Sequence, residues 1–150
     1  MRIQVRTNHP QRKVSLKKIK KQAEVLLEEL GQGDKELSIL LVDNDGIREL
    51  NSSYRGMDEP TDVLAFSQIE GGVIPRRARE AVLGDVVISL DKAEEMADRF
   101  KRAMEKEVLL YLIHGVLHLV GFEHAAKSAA FHRMHKKERR LLEKIWKRKV

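Results

Sequence analysis

The amino-acid sequence predicts an α+β fold, with a small mixed sheet of about four strands packed against one buried central helix. Strand-like segments come early in the chain and are interleaved with helices, whereas the last third carries only helical patterns. Residues 103–119 are apolar on nearly every side, which is typical of a helix enclosed by other elements. With 150 residues and 42% apolar content, we expect a single domain over residues 1–150.

The first third of the chain predicts two strands separated by a helix. Residues 2–6 alternate polar and apolar, as in a half-buried strand. Ser15 is placed to cap a helix with one apolar stripe, and Gly31 is placed to end it. The apolar run at 39–42 predicts a strand over 36–42 that is buried on both faces and therefore central in the sheet.

The middle third predicts a short helix and two further strands. The helix is expected over about 47–52, followed by a loop over 54–60. A third strand is predicted over 61–66 and a fourth over 83–89. Between them, the segment 68–82 is rich in Gly, Pro and Arg, so we expect it to be a mobile excursion from the sheet.

Three helices are predicted after the fourth strand. Asp91 is placed to open the first, which runs to about Phe100, and the second is the central helix over 103–119. The third follows His124. Its apolar side chains are expected to face the core, and they are Phe131, Met134, Leu141, Leu142, Ile145 and Trp146.

Three histidines near the end of the central helix follow the pattern H-x-x-x-H-x-x-G-x-x-H, which metzincin proteases use to hold zinc. Residues four apart share a helix face, so the rings of His114 and His118 can converge on one cation. Gly121 is suited to end the helix in a left-handed conformation and to return His124 towards the metal. A lone histidine would indicate only the edge of a core. Three ligands with a fourth position open to water predict a catalytic zinc site.

The residue after the first histidine distinguishes this chain from the proteases. In the protease pattern that residue is the glutamate that acts as general base, and here it is Gly115. The chain therefore keeps the predicted ligands and lacks the peptidase's base. A metallopeptidase of metzincin-like geometry is an alternative that the histidine spacing favours and Gly115 opposes.

Composition limits the class of partner and the kind of metal site. The chain has no cysteine, so any metal must be held by nitrogen or oxygen ligands. A net charge of +6 favours a polyanionic partner such as nucleic acid, an acidic protein surface or anionic lipid. We see no signal peptide and no apolar run long enough to span a membrane, and therefore expect a cytoplasmic protein.

Three segments together resemble the YbeY family of bacterial single-domain endoribonucleases, which act in ribosomal RNA maturation. They are residues 51–66 (NSSYRGMDEPTDVLAF), 83–89 (LGDVVIS) and 114–124 (HGVLHLVGFEH). The resemblance implies a zincin-like fold, one zinc ion held by His114, His118 and His124, and a single-stranded RNA substrate. It also implies a role in maturation of the 16S 3′ end and in ribosome quality control, with the small subunit and ribosomal or assembly proteins as partners.

Arg55 is the candidate catalytic residue outside the histidine motif. It lies in the first of the three segments, in the part that we expect to be a loop before the third strand. Attack on a phosphodiester builds negative charge on the non-bridging oxygens, and a guanidinium can neutralise that charge with a two-pronged contact. A solvated loop arginine is the alternative interpretation.

The sequence departs from the family pattern around the histidines. Glu123 stands where the family usually has Asp, Ala65 where it usually has Ser, and the acidic stretch after the last histidine is replaced by residues 125–128, AAKS. The final helix is strongly basic, and three arginines lie in the excursion: Arg76, Arg77 and Arg79. These positive charges suit RNA phosphates, although a solvated helix face is the ordinary explanation.

Two further expectations concern recognition. Because aromatic residues make up only 5% of the chain, base stacking should be a minor contribution. A ribosome-associated protein without enzymatic activity, in which the metal only stabilises the fold, is a third alternative. A metal enclosed by four protein ligands would favour that alternative.

Overall fold

Four strands form one mixed sheet in the computed structural model, which describes residues 2–10, 14–67, 81–122 and 129–148. Strands β1 (Ile3–Thr7), β2 (Glu36–Val42) and β4 (Val82–Ser89) are parallel, and β3 (Val63–Phe66) pairs antiparallel with β4. The order β1-β2-β4-β3 places β2 inside the sheet and β3 at an edge. The predictions of a small mixed sheet and of a central second strand are confirmed.

Within the described ranges, five helices pack with this sheet, and their bounds are α1 (Leu16–Glu29), α2 (Asn44–Arg55), α3 (Leu90–Phe100), α4 (Met104–Leu119) and α5 (Ala129–Lys147). The helix α4 is the central one. It contacts α1, α3, α5 and the strands β3 and β4. Its side chains Leu109, Leu112, Ile113, Val116 and Leu117 have no solvent exposure. The predicted α+β class with a buried central helix is therefore confirmed.

The helix α1 begins and ends at the predicted residues. The Ser15 hydroxyl accepts a hydrogen bond from the Lys18 N–H at 3.2 Å, which satisfies a donor that the first turn leaves without a helical partner. At the other end, Gly31 has a φ of 69°, and its N–H donates to the carbonyl of Glu28. Both caps are set by local chemistry and could be predicted from it.

The helix α2 is longer than predicted, and this corrects the placement of Arg55. The Asp43 carboxylate caps its start by accepting from the Gly46 N–H at 2.7 Å. The helix then continues to Arg55 and ends where Gly56 adopts a φ of 68°. The prediction that Arg55 lies in a loop was wrong, because the left-handed Gly56 permits three further helical residues before the chain turns.

Two other observed boundaries differ from the predicted ones, because side chains of neighbouring residues cap the backbone. The strand β3 begins at Val63, since the Asp62 carboxylate accepts from the Val63 N–H at 2.7 Å. The helix α3 begins at Leu90, because the hydroxyl of Ser89 rather than Asp91 accepts from the first turn.

Asp91 instead joins three elements of the fold. Its carboxylate contacts His9 Nε2 at 2.7 Å and accepts from the Asn44 N–H at 2.8 Å. Burial alone would raise the pKa of Asp91, but these two contacts outweigh burial and lower the pKa below its usual value. The carboxylate therefore ties the segment after β1 to the starts of α2 and α3.

The end of β3 and the end of α4 meet at Gly84 in β4. Gly84 has a φ of 146°, a backbone conformation that side chains with a Cβ rarely adopt. A Cβ added there would collide with the carbonyl oxygen of Phe66 and would lie 3.0 Å from Leu119 Cδ2. The glycine therefore lets the last turn of α4 approach the last residue of β3 through the sheet.

Over the described ranges, no helix has the length and apolar character that crossing a bilayer requires.

Candidate metal centre

The last turn of α4 ends as the sequence predicts. Gly121 has a φ of 102°, its N–H donates to the carbonyl of His118 at 3.1 Å, and the Phe122 N–H donates to the carbonyl of Leu117 at 3.0 Å. These two bonds are those of a Schellman motif, which satisfies the final carbonyl groups and turns the chain away from the helix axis. The predicted third ligand, His124, lies outside the described residues, as do Glu123 and the arginines at 76, 77 and 79.

The structure brings the other two predicted ligands together. The Nε2 atoms of His114 and His118 are 3.2 Å apart, and the ring centroids are 4.7 Å apart with an angle of 71° between the planes. Two nitrogens bound to a tetrahedral zinc at about 2.0–2.1 Å lie roughly 3.3–3.4 Å from each other. The two Nε2 atoms are therefore spaced as two ligands of such an ion would be.

A buried carboxylate fixes the orientation of one of these rings. Glu138 in α5 is 5% exposed, and its Oε1 contacts His114 Nδ1. A carboxylate oxygen only accepts, so Nδ1 carries a proton, and in a neutral imidazole Nε2 is then the nitrogen with the lone pair. Metal-binding histidines in proteins usually have such a partner on the second nitrogen. The other oxygen of Glu138 lies 4.0 Å from His135 Nδ1.

The sequence contains a signal for Glu138, although this residue is not among the predicted site residues. Met134, Glu138, Leu141 and Ile145 form the buried stripe of α5, so Glu138 is a charged residue at a core position. Glutamate is rarely fully buried without a partner, and this position therefore indicated a contact with another polar group.

Gly115 faces the sheet, in van der Waals range of two valine side chains. A Cβ added to it would lie 2.8 Å from Val86 Cγ1 and 3.2 Å from Val63 Cγ2. Val86 has no solvent exposure, so it has little room to move. The residue that replaces the peptidase's glutamate thus lies where the histidine-bearing helix packs closely against β3 and β4.

The guanidinium of Arg55 contacts the last two residues of β3, Ala65 and Phe66. Its Nη2 donates to the carbonyl of Ala65 at 3.0 Å, and its guanidinium carbon lies 5.6 Å from the centre of the Phe66 ring. A guanidinium has five N–H donors, and the Ala65 carbonyl takes one of them. Thr61 and Asp62, which are polar residues of the same segment, make local capping contacts.

A third metal-binding side chain is not found within the described part of the chain. There, no group of three or more His, Asp or Glu residues is arranged to hold a cation. The described centre thus consists of two facing imidazoles and a buried carboxylate. The sequence places the next histidine, His124, three residues beyond the glycine that turns the chain.

Comparisons with known proteins agree on one family. The family model described as Endoribonuclease YbeY matches residues 4–146. Endoribonuclease YbeY of Aquifex aeolicus is 45% identical over 115 residues, which cover 75% of this chain and 72% of that protein. Endoribonuclease YbeY of Petrotoga mobilis is 43% identical over 125 residues, with 83% and 81% covered.

A solved structure has the same fold over nearly the whole length. The solution structure of TM1509 from Thermotoga maritima matches with a TM-score of 0.66 and 30% identity, covering 97% of this chain and 90% of that one. The chain belongs to the YbeY family.

Proposed function

We propose that this chain is a zinc-dependent endoribonuclease that cuts single-stranded ribosomal RNA in the cytoplasm, in maturation of the 16S 3′ end and in ribosome quality control. Membership of the YbeY family supports an endoribonuclease role, which is a hydrolase activity. The observation that carries the proposal is the pair of facing Nε2 atoms, 3.2 Å apart, with Glu138 behind His114.

In this proposal His114, His118 and His124 hold one zinc ion. When bound, zinc polarises a phosphoryl oxygen and lowers the pKa of bound water to about 7. Glu138 holds the His114 ring in the tautomer that presents Nε2. Arg55 donates hydrogen bonds to the non-bridging oxygens of the scissile phosphate, and its contact with the Ala65 carbonyl orients the guanidinium for this role.

The surroundings of Gly115 favour the nuclease over the metallopeptidase. A glutamate at this position would have to place its Cβ 2.8 Å from Val86 Cγ1, between the helix and the sheet. A side chain in that place would contact the core rather than a substrate. This supports a reaction in which activation of the nucleophile does not depend on a glutamate after the first histidine.

The charges of α5 support a polyanionic substrate. Its exposed basic residues include Arg133, Lys136, Arg139, Arg140 and Lys147. Lys144 is partly neutralised, because its Nζ contacts Glu29 Oε2 at 2.8 Å. Lysine and arginine that contact phosphates release counterions, so we propose that this face helps to bind RNA on or near the small ribosomal subunit, alongside ribosomal or assembly proteins.

The experiment that tests this function compares single-stranded RNA, duplex RNA and a peptide panel as substrates of the purified protein. We expect cleavage of single-stranded RNA, its loss after chelation and its return with zinc. Peptide hydrolysis without RNA cleavage would instead establish the metallopeptidase. Tight zinc binding with neither activity would establish a structural metal in a ribosome-associated protein.

Glu138→Gln is expected to weaken zinc binding about tenfold, because a neutral amide is a poorer acceptor for the His114 Nδ1 proton. The measurement is competition for zinc with a chromophoric chelator at constant pH. Circular dichroism verifies that the helices remain.

The matched control is Glu107→Gln. Glu107 is also buried, at 2% exposure, and it also contacts a charged partner, Arg102. It lies in the first turn of α4, whereas His118 lies in the last. Equal zinc affinities of Glu138→Gln and the unchanged protein would contradict the orienting role. Equal losses in both glutamine variants would indicate a general loss of stability.

A further inference from the structure

Two aromatic side chains meet at the surface beside Arg55. They are Tyr54, which is 69% exposed, and Phe66, whose ring contacts the Tyr54 ring. The chain has only two Tyr, four Phe and one Trp, and the other tyrosine, Tyr111, is buried. A tyrosine ring combines an apolar body with a polar hydroxyl and is common at binding interfaces, so this exposed ring beside Arg55 is a candidate contact for the substrate.

Within this cluster Tyr54 is the exposed ring, and Phe66 packs beside it. The Tyr54 and Phe66 ring centroids are 5.3 Å apart with a tilt of 57°, so Phe66 supports Tyr54 from the side. The Arg55 guanidinium lies over the Phe66 ring at 5.6 Å. Phe66 is partly buried at the end of β3, which gives the cluster a rigid base.

The cluster is connected to the histidine centre through Gly84. The carbonyl of Phe66 and the side chain of Leu119 both lie against that glycine. Leu119 directly follows His118 in the last turn of α4. The end of β3, which carries Phe66 of the aromatic cluster, and the end of α4, which carries His118, therefore meet at Gly84.

We propose that Tyr54, supported by Phe66, stacks on an unpaired base of the RNA strand whose phosphate Arg55 contacts. This inference rests on the proposed function and adds a base-binding subsite to it. Every base has a π-face, so such a platform binds single strands with little sequence preference, and a paired base in a duplex cannot reach it. The low aromatic content predicts that base stacking is a minor contribution. The proposed subsite would supply that stacking at one base.

The test measures binding of a short labelled single-stranded RNA to the zinc-loaded protein by fluorescence anisotropy, with RNA integrity followed on gels. We expect Tyr54→Ala to raise Kd about tenfold or more, and Tyr54→Phe to keep the original Kd, since phenylalanine retains the ring. An equal loss in both variants would overturn stacking in favour of a hydrogen bond from the hydroxyl. An unchanged Kd for Tyr54→Ala would overturn the subsite itself.

RNAs that lack one base at successive positions provide the decisive comparison. If the platform holds a base, one abasic position weakens binding to the unchanged protein and leaves binding to Tyr54→Ala unaffected. If removing a base weakens binding to Tyr54→Ala as much as binding to the unchanged protein at every position, the two losses are additive and the proposal is overturned. The matched control is Phe100→Ala: Phe100 is 52% exposed and lies beside Arg99 and Arg102, yet Arg102 contacts the first turn of α4, away from the histidines. We expect its Kd to stay unchanged.

The outcome for the subsite is separable from the outcome for the enzyme. If the unchanged protein cleaves RNA but Tyr54→Ala binds RNA equally well, the subsite is wrong and the proposed function stands. If the unchanged protein cleaves no RNA, the proposed function fails whatever the binding measurements give.

Discussion

Replacing His114 with alanine is expected to reduce both zinc affinity and RNA cleavage by more than about 100-fold, because loss of a ligand should exceed the usual effect of losing a ligand's partner. The substitution removes one of the two facing Nε2 atoms. Zinc content after gel filtration and the initial rate of RNA cleavage measure the two losses. Undiminished cleavage by metal-free His114→Ala would contradict the proposed function.

His114→Ala also leaves Glu138 buried without its imidazole contact, which costs stability. His118→Ala is therefore the second variant, since it keeps the contact between His114 and Glu138. We expect it to lose zinc and cleavage to a similar degree. The control is His132→Ala, which replaces an exposed histidine of α5 and should retain both. Loss of cleavage in His132→Ala would show that the histidine substitutions act nonspecifically.

Gly115→Glu, which restores the residue found in the protease pattern, is expected to prevent folding rather than to create a peptidase. Its Cβ would approach the buried Val86 Cγ1 to 2.8 Å, and its carboxylate would enter an apolar contact between helix and sheet. Burying a carboxylate without a partner costs several kcal/mol, which is comparable to the roughly 5–15 kcal/mol that stabilises a typical domain. Solubility and circular dichroism measure the outcome.

A smaller substitution, Gly115→Ala, tests the same contact. Gly115→Ala should lose about 1–2 kcal/mol in urea unfolding, because overpacking exceeds the helix propensity that alanine gains. Gly33→Ala is the control, since its Cβ would meet nothing closer than 3.5 Å, and we expect a change near zero. A folded Gly115→Glu protein with peptidase activity would reverse our assignment of position 115. Unchanged stability of Gly115→Ala would contradict the tight contact with Val86.

The parts of the site that could be predicted from the sequence depend on neighbouring residues. The four-residue spacing of His114 and His118 follows the helix period, and Gly121 ends that helix because it lacks a Cβ. The caps at Ser15 and Gly31 are equally local. Such features need no knowledge of how the elements pack.

The parts that were missed depend on packing between distant segments. Glu138 reaches His114 across 24 residues, and only the docking of α5 on α4 determines that contact. The approach of α4 to the sheet at Gly115 likewise depends on Val86 and Val63, which belong to other elements. The end of α2 was missed for a simpler reason, because Gly56 can either end a helix or begin a loop, and its φ decides between them.

The contact of Glu138 with His114 makes the C-terminal helix part of the proposed zinc site. Interactions that dock α5 on α4 also orient the proposed zinc ligand His114, so zinc affinity and helix docking are thermodynamically linked. Linkage is reciprocal: if docking strengthens zinc binding by a given factor, zinc strengthens docking by the same factor. Amide hydrogens of α5 should therefore exchange more slowly with solvent when zinc is bound, although the helix itself supplies no ligand.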